Sequence, residues 1–407
     1  MADCSGSAPT SQATSGRCPS GPSPPPAATP EAHFAAMIPN CLAYAKQAKA
    51  QRRPIVGIMC EFTPRELIMA AGAVPVCLCG GSAKMVAPAE QHLPANLCPL
   101  IKSTFGYHLT RGNPFLEMAD LIVAETTCDG KKKMYELMGQ TRPMYVLELP
   151  QKSDRPAGLQ HWHEELLKFK DTLESRFDTR ITADKLRAAI GVMNRERRLR
   201  RQLADLMALD PPPMTGRQLL DYKSSISGIP ADLAQYEKAL AIYRAAGGET
   251  RLATHTRVLM TGVPIVHGAE RVLDIIENAG GVVVCMENCT GLKPILEDVD
   301  EQSPDPLQAL AEKYYHLPCS VMTANDRRLR TLRDLASRFK PHAVIELIWQ
   351  ACLTYDVESS LTRQLVEQEL RLPYLRIETD YSPSDSARIA TRVEALFETA
   401  RQRSSLS

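Results

Sequence analysis

Residues 121–136 read LIVAETTCDGKKKMYE, and this stretch carries the pattern that decides the fold. The run LIVA is apolar and short, as expected for a buried strand, and the turn that follows it carries Cys128. After Asp129 and Gly130, three lysines open a helical pattern. The stretch therefore predicts a strand, a thiol presented where the chain turns, and a helix.

The same order of strand, turn and helix recurs along the chain. We predict strands at residues 55–59, 74–78, 121–124, 144–149, 258–260, 282–286, 343–348 and 374–377. Strands that alternate with helices indicate parallel sheets covered on both faces. We therefore expect an α/β protein with two Rossmann-like, flavodoxin-like parallel-sheet domains and a helical segment between them.

Composition suggests where the boundaries fall. Residues 1–30 are rich in Pro, Ser and Ala, which predicts a disordered tail. We assign residues 31–152 to an N-terminal α/β domain, 153–252 to the helical segment and 253–407 to a C-terminal α/β domain. Within the helical segment, the arginine-rich residues 195–201 indicate either a solvated helix face or a surface for an acidic partner. We favour the solvated face.

The overall charge argues against several classes of partner. The chain has 407 residues, 48 of them basic and 47 acidic, so its net charge is +1. No global field draws it to nucleic acid or anionic lipid. No apolar run approaches the roughly 18 residues of a membrane span, and the N-terminus lacks a secretory pattern. We expect a cytoplasmic protein that binds neither nucleic acid nor membrane.

The chain contains 12 cysteines. In a long intracellular protein this abundance indicates reduced thiols, metal ligation or redox chemistry rather than disulfides. Cys4 and Cys18 fall in the predicted tail and are poor candidates for rigid ligands. Cys77, Cys79 and Cys285 fall within predicted strands, so we expect them in the core.

Six other cysteines share a different context, because they lie just beyond strands or beside proline at turns. They form two triplets, Cys60, Cys98 and Cys128 in the first half and Cys289, Cys319 and Cys352 in the second. Ligands of open parallel sheets bind in the crevice at the carboxyl ends of the strands. We therefore predict that each α/β half presents one triplet to a shared crevice.

Three thiolates in each half fit some centres better than others. Structural zinc sites use closely spaced cysteine pairs and four ligands, and these six cysteines contain no such pair. Iron–sulfur clusters are held by thiolates, and three ligands leave one iron open. The residues favour a cluster, with zinc and unligated thiols as the alternatives.

Five segments resemble the 2-hydroxyacyl-CoA dehydratase D-component family, which includes benzoyl-CoA reductase subunits. They are CEFTPRELIMAAGAVPVCLCGG from Cys60, ETTCDGKKKMYELM from Glu125, ENCTG from Glu287, LIWQACLTY from Leu347 and LRIETDYS from Leu375. The resemblance covers about residues 50–400. It implies one [4Fe-4S] cluster held by three cysteines, with Cys60, Cys128 and Cys352 in the corresponding motifs.

Three segments point to a narrower relative, and they are NLCPLIKS from Asn96, ENCTG from Glu287 and PCSVMT from Pro318. With them the chain resembles the double-cubane cluster proteins, homodimers in which six cysteines hold two [4Fe-4S] cubanes joined by a bridging sulfide. The resemblance implies that all six cysteines are ligands. It also implies a reductase that receives low-potential electrons from an ATP-hydrolysing iron–sulfur activator and acts on a small-molecule substrate. The chain itself has no phosphate-binding Walker loop.

Two other functions compete with this one, a 2-hydroxyacyl-CoA dehydratase subunit with a single [4Fe-4S] cluster and a non-enzymatic electron-transfer protein. The weak catalytic candidates are Glu125, Asp129, Glu378 and Asp380, for which ordinary cap or loop hydrogen bonds are the competing interpretation. The lysines at 131–133 suggest positive charge near the cluster, a docking face for the activator, or a solvated helix start.

Overall fold

The computed structural model describes residues 29–404. Most of the predicted tail, with Cys4 and Cys18, and residues 405–407 lie outside the described residues. Thr29 is already part of the ordered fold, because its side chain accepts a hydrogen bond from the Ala32 N–H and caps the first helix.

The strands are β1 (Ile55–Ile58), β2 (Val74–Cys77), β3 (Leu121–Glu125), β4 (Met144–Leu147), β5 (Thr256–Gly262), β6 (Gly281–Glu287), β7 (Ala343–Trp349) and β8 (Tyr374–Thr379). The helices are α1 (Pro30–Ala35), α2 (Met37–Ala50), α3 (Arg65–Ala70), α4 (Val86–Ala89), α5 (Pro99–Thr110), α6 (Pro114–Met118), α7 (Asp129–Met138), α8 (Pro156–Phe177), α9 (Ala183–Asp205), α10 (Gly216–Asp221), α11 (Pro230–Ala246), α12 (Arg271–Asn278), α13 (Pro306–Tyr315), α14 (Asp326–Phe339), α15 (Leu353–Gln364) and α16 (Ser386–Ser404). Each predicted strand is present, within a few residues of its predicted bounds.

The strands form two parallel sheets with the same connectivity. The first has the order β2-β1-β3-β4 and the second β6-β5-β7-β8. In each sheet the second strand lies on one side of the first, and the third strand lies on the other side. This change of direction opens a crevice at the carboxyl ends of the central strands. The predicted α/β fold with two Rossmann-like sheets is confirmed.

The central strands are buried along their whole length, which explains why they read as continuous apolar runs. The strands β4 and β8 lie at sheet edges and are only partly buried. One apolar cluster covers a face of each sheet, so the cores of the two halves are continuous.

The long helix α9 joins the two halves. Its first turns, with Leu186 and Ile190, pack in the apolar cluster on the first sheet. Its last turns, with Leu199 and Leu203, pack in the cluster on the second sheet. The helix α13 comes from the second half of the chain but packs against α8 and α9 on the first sheet. The predicted domain boundaries stay predictions.

The preference for a solvated face at residues 195–201 is wrong for Arg197. This side chain is 3% exposed and donates hydrogen bonds to Glu66 of α3 and to the Tyr314 hydroxyl of α13. Arg198 and Arg201 pair with Asp298. These arginines therefore bind acidic residues of their own chain and fix α9 between the two halves.

Among the helices of residues 29–404, none is both long and apolar enough to cross a membrane.

Candidate functional site

A cavity of about 1030 Å³ lies at the carboxyl ends of the strands. All six predicted ligands line it, namely Cys60, Cys98, Cys128, Cys289, Cys319 and Cys352. The shared crevice predicted from the sequence is therefore present, and it collects thiols from both halves of the chain.

Two further cysteines line the same cavity. We expected Cys77 and Cys79 in the core, but β2 ends at Cys77, and both side chains are only partly buried. The Cys77 sulfur accepts a hydrogen bond from Arg65, and the Cys79 thiol donates one to the Met59 carbonyl. Cys285 is buried in β6, as predicted.

The six thiols do not group by chain half. Burial raises the pKa of Cys60 well above its usual range, and the nearby thiols of Cys289 and Cys319 raise it further. We name these three the loop triplet, because each lies in a loop. A hydrogen bond from Cys352 lowers the pKa of Cys98, and Cys128 lies beside both.

The second set is Cys98, Cys128 and Cys352, which we name the helix triplet. Each half of the chain contributes three thiols to the cavity, and in space each triplet mixes thiols from both halves. The physical reason is topological. Cys60 follows β1, whereas Cys289 follows β6, whose counterpart in the first sheet is β2. The regular spacing of the six along the chain therefore does not reflect equivalent positions in the two sheets.

Each member of the helix triplet is the residue that precedes the first turn of a helix, with Cys98 before α5, Cys128 before α7 and Cys352 before α15. The Cys352 hydrogen bond and two backbone N–H groups lower the pKa of Cys98. Burial raises the pKa of Cys128, and the Cys98 hydrogen bond and burial raise the pKa of Cys352, each against one opposing backbone N–H group. Three helix N-termini converge on one set of sulfurs, and they favour negative charge there together with Lys131.

Of the three lysines at 131–133, Lys131 is the one buried among the thiols. Burial lowers the pKa of Lys131, but Tyr135 and the thiols of Cys60, Cys79 and Cys128 outweigh it and raise the pKa well above its usual range. Lys131 therefore carries positive charge between the two triplets.

The other two lysines form local pairs on an exposed helix face. Lys132 pairs with Asp129 at 2.8 Å, and Lys133 pairs with Glu136. The three lysines therefore differ in position: Lys131 is buried at the thiols, Lys132 lies at the cavity rim and Lys133 is exposed.

A second buried cation lies next to the loop triplet. The Nζ of Lys293 donates to the Tyr355 hydroxyl at 2.8 Å and lies 3.2 Å from Glu287. The thiols of Cys289 and Cys319 and the Glu287 carboxylate raise the pKa of Lys293 against the lowering effect of burial. The loop triplet is thus served by a charged side chain rather than by helix ends.

The four catalytic candidates do not converge. Glu125 is fully buried, accepts a hydrogen bond from Thr63 and has its pKa raised to about 7 by burial. Asp129 lines the cavity but projects into solvent. Glu378 and Asp380 line a separate polar pocket of about 380 Å³.

Other polar neighbours of the thiols have distinct roles. The Asn288 side chain accepts hydrogen bonds from the N–H groups of Thr290 and Gly291, which shapes the turn that presents Cys289. Gln350 lines the separate polar pocket. Thr127 lines the cysteine cavity, and its buried hydroxyl has no hydrogen-bond partner within the described residues.

Sequence reasoning missed the outer wall of the cavity. Phe34, Met37 and Ile38 of the first two helices line it, together with Leu220 and Lys223 from the helical segment. Burial lowers the pKa of Lys223, and among residues 29–404 no carboxylate lies within ion-pair distance of its ammonium group. No motif marks this wall, because it is built from segments distant in the chain.

The six thiols are spaced for a polynuclear cluster and not for a single metal ion. Within the described chain, no three His, Cys, Asp or Glu side chains come close enough to hold a single metal ion. A polynuclear cluster spans a larger space and takes its thiolates from separate points around it. Six thiols around one large cavity, with cations and helix ends beside them, fit such a cluster.

Comparison with known proteins identifies a family. The sequence model of the family described as "2-hydroxyglutaryl-CoA dehydratase, D-component" matches residues 60–400. The chain is 41% identical to "Putative dehydratase subunit YjiM" of Escherichia coli (strain K12), over 85% of this chain and 91% of that protein.

More distant relatives have named activities. The chain is 22% identical to the "(R)-phenyllactyl-CoA dehydratase beta subunit" of Clostridium sporogenes, over 84% of this chain and 91% of the relative. It is 24% identical to a benzoyl-CoA reductase subunit of Thauera aromatica, over 69% of this chain and 72% of the relative. On the extent of these matches, the chain belongs to the 2-hydroxyglutaryl-CoA dehydratase D-component family of enzymes.

Proposed function

We propose that the chain is the iron–sulfur reductase component of a two-component system. It receives low-potential electrons from an ATP-hydrolysing activator and reduces a small-molecule substrate at a double-cubane cluster. The observation that carries this proposal is the pair of cysteine triplets in one cavity, each built from both halves of the chain. A bound cluster of this kind stores and supplies low-potential electrons.

The residues around the cavity have separable roles in this proposal. The loop triplet holds one cubane and the helix triplet the other. The N-termini of α5, α7 and α15 and the ammonium groups of Lys131 and Lys293 offset the negative charge of thiolates and sulfides. Lys223, in the wall of the cavity, binds an anionic group of the substrate.

The activator and a second copy of the chain are the proposed partners. For the homodimer we propose the exposed face of α15, where Leu353, Val357 and Leu361 are 70%, 75% and 50% exposed at intervals of one helical turn. Two copies can approach through this uncharged stripe without like-charge repulsion. A Val357→Asp variant that remains dimeric in analytical ultracentrifugation would contradict this contact.

The second candidate is a dehydratase subunit with a single [4Fe-4S] cluster, which the names of several relatives favour. The family motifs assign Cys60, Cys128 and Cys352 as the ligands of such a cluster. However, Cys60 belongs to the loop triplet, whereas Cys128 and Cys352 belong to the helix triplet. This division of the motif cysteines favours two clusters over one. The cytoplasm, where thiols stay reduced, suits ten free cysteines in the described chain.

The test measures iron and acid-labile sulfide per chain after anaerobic purification, with the wild type beside Cys98→Ser, Cys289→Ser and Cys319→Ser. We expect the wild type to contain the iron of two cubanes and each variant to lose at least one. Cys79→Ser is the matched control, because this thiol lines the cavity but belongs to neither triplet. Iron content of one cubane in the wild type, unchanged in all three variants, would support the single-cluster candidate instead.

A further inference from the structure

The indole of Trp349 is a buried hydrogen-bond donor that faces the cysteine cavity. Trp349 is the last residue of β7, three residues before Cys352, and it is 1% exposed. It lines the cavity, yet its Nε1–H has no acceptor within the described residues. A buried N–H without a partner has lost its hydrogen bond to water and gained none, so native proteins rarely leave one unpaired.

The missing acceptor alone does not indicate a ligand, as the other tryptophan of the chain demonstrates. Trp162 in α8 is also fully buried, and its Nε1–H also lacks a partner within the described residues. Trp162 packs in the apolar cluster on the first sheet and does not line the cavity. Of the two, Trp349 alone combines an unpaired donor with a position in the wall of the cavity.

A second unpaired donor lies beside the first. The ring of Tyr381 packs edge-to-face on Trp349 with 4.8 Å between the ring centroids, and its buried hydroxyl has no partner within residues 29–404. Burial raises the pKa of Tyr381 well above its usual range, and the thiols of Cys98, Cys79 and Cys352 raise it further. The hydroxyl therefore lies near the helix triplet.

We propose that Trp349 and Tyr381 form a donor site for cluster sulfur, in which the indole N–H and the phenol O–H donate hydrogen bonds to sulfide or thiolate at the helix triplet. This inference rests on the proposed function, because it requires a cluster in the cavity. Hydrogen bonds to sulfur stabilise the more negative, reduced state and raise the reduction potential.

The loop triplet has a different polar neighbour. Its adjacent phenol, Tyr355, accepts a hydrogen bond from the Lys293 ammonium group at 2.8 Å. Trp349 and Tyr381 lie beside the helix triplet, so loss of the Trp349 donor changes the potential of the cubane held there.

The experiment compares cluster-loaded wild type with Trp349→Phe and uses Trp162→Phe as the matched control. The first readout is an anaerobic redox titration followed by electron paramagnetic resonance. We expect one reduction potential to fall in Trp349→Phe, with iron and sulfide content unchanged, and no fall in Trp162→Phe.

The second readout is the nuclear magnetic resonance signal of ¹⁵N-labelled indole groups. The chain has 2 tryptophans, so two indole N–H signals are expected. One should be shifted by the cluster's unpaired electrons and be absent from Trp349→Phe, and the other should be absent from Trp162→Phe.

Unchanged potentials in Trp349→Phe, together with two unshifted indole signals in the wild type, would overturn the inference. If Trp349→Phe does not assemble its cluster, Tyr381→Phe removes a single hydroxyl from the same site, and an unchanged potential there would count equally against it. A wild type without any cluster would instead refute the proposed function.

Discussion

Cys98, Cys128 and Cys352 depend on the backbone for their electrostatic setting. Each lies at the N-terminus of a helix, where free N–H groups favour the thiolate. Cys60 and Cys289 have no such helix, and Lys131 and Lys293 take that role for them. Helix N-termini and buried lysines therefore both favour negative charge on the cavity thiols, and Lys131 acts on Cys60 and on Cys128.

A buried lysine outside the cavity allows a test of burial at the residue scale. Lys313 in α13 is 8% exposed, and its Nζ donates to the Pro294 carbonyl at 2.9 Å. Burial, and then the nearby Arg197, lower the pKa of Lys313 to about 7. Because the unfolded chain keeps this proton up to a pH of about 10.4, its contribution makes stability rise with pH between these values, by at most about 1.4 kcal/mol per pH unit.

We predict that Lys313→Met removes this dependence. The variant should gain most stability relative to the wild type near pH 6 and progressively less towards pH 9, as measured by urea unfolding at each pH. Lys133→Met, an exposed lysine of α7, is the control and should show no such trend. A constant difference between Lys313→Met and the wild type across the range would refute the assignment.

At the scale of elements, α14 holds the strands and the helix that carry the second-half thiols. Arg328 of α14 is fully buried and contacts three carboxylates, Glu287 at the end of β6, Glu346 in β7 and Glu358 in α15. Cys289 lies two residues after the end of β6, and Cys352 directly precedes α15. One guanidinium group thus fixes the segments that present a member of each triplet.

We predict that Arg328→Met destabilises the protein by about 3–5 kcal/mol, because it leaves buried carboxylates without their cation. Urea unfolding at neutral pH measures the loss. The control is Arg333→Met on the same helix, whose pair with Glu369 is exposed and should contribute little to stability. If the two substitutions lowered the free energy of unfolding equally, the buried network would contribute no more to stability than an exposed ion pair.

At the scale of the whole molecule, each triplet crosses between the halves of the chain. A cluster bound there would tie together segments that are distant in sequence, in addition to the apolar contacts of α9 and α13. A cluster that binds only the folded state stabilises that state. Loss of one cysteine ligand should therefore lower the local stability around the other two cysteines of the same triplet.

We predict that Cys60→Ser increases amide hydrogen exchange around Cys289 and Cys319, which lie in the other half of the chain. Mass spectrometry of peptides from the anaerobic, cluster-loaded protein measures the exchange. The peptides that contain Cys98 and Cys128 lie in the same half as Cys60 and should change less. Larger changes in those two peptides would restore the grouping of thiols by chain half.

The sequence by itself determined the strands, the parallel sheets and the cavity-lining position of all six cysteines. Strands buried on both faces are continuous apolar runs, and parallel strands end at one edge of a sheet, so local patterns carry this information. Local sequence also predicts the helix that begins after Cys98, because the proline that follows it fits the first turn of a helix.

Only the tertiary structure decided how the six thiols divide into triplets. That division depends on strand order and on how two sheets face one cavity, and spacing along the chain encodes neither. For the same reason the sequence revealed neither the buried partner of Arg197, nor the outer wall with Lys223, nor the unpaired donor of Trp349. Each depends on contacts between segments far apart in the chain, and local sequence periodicity does not predict such contacts.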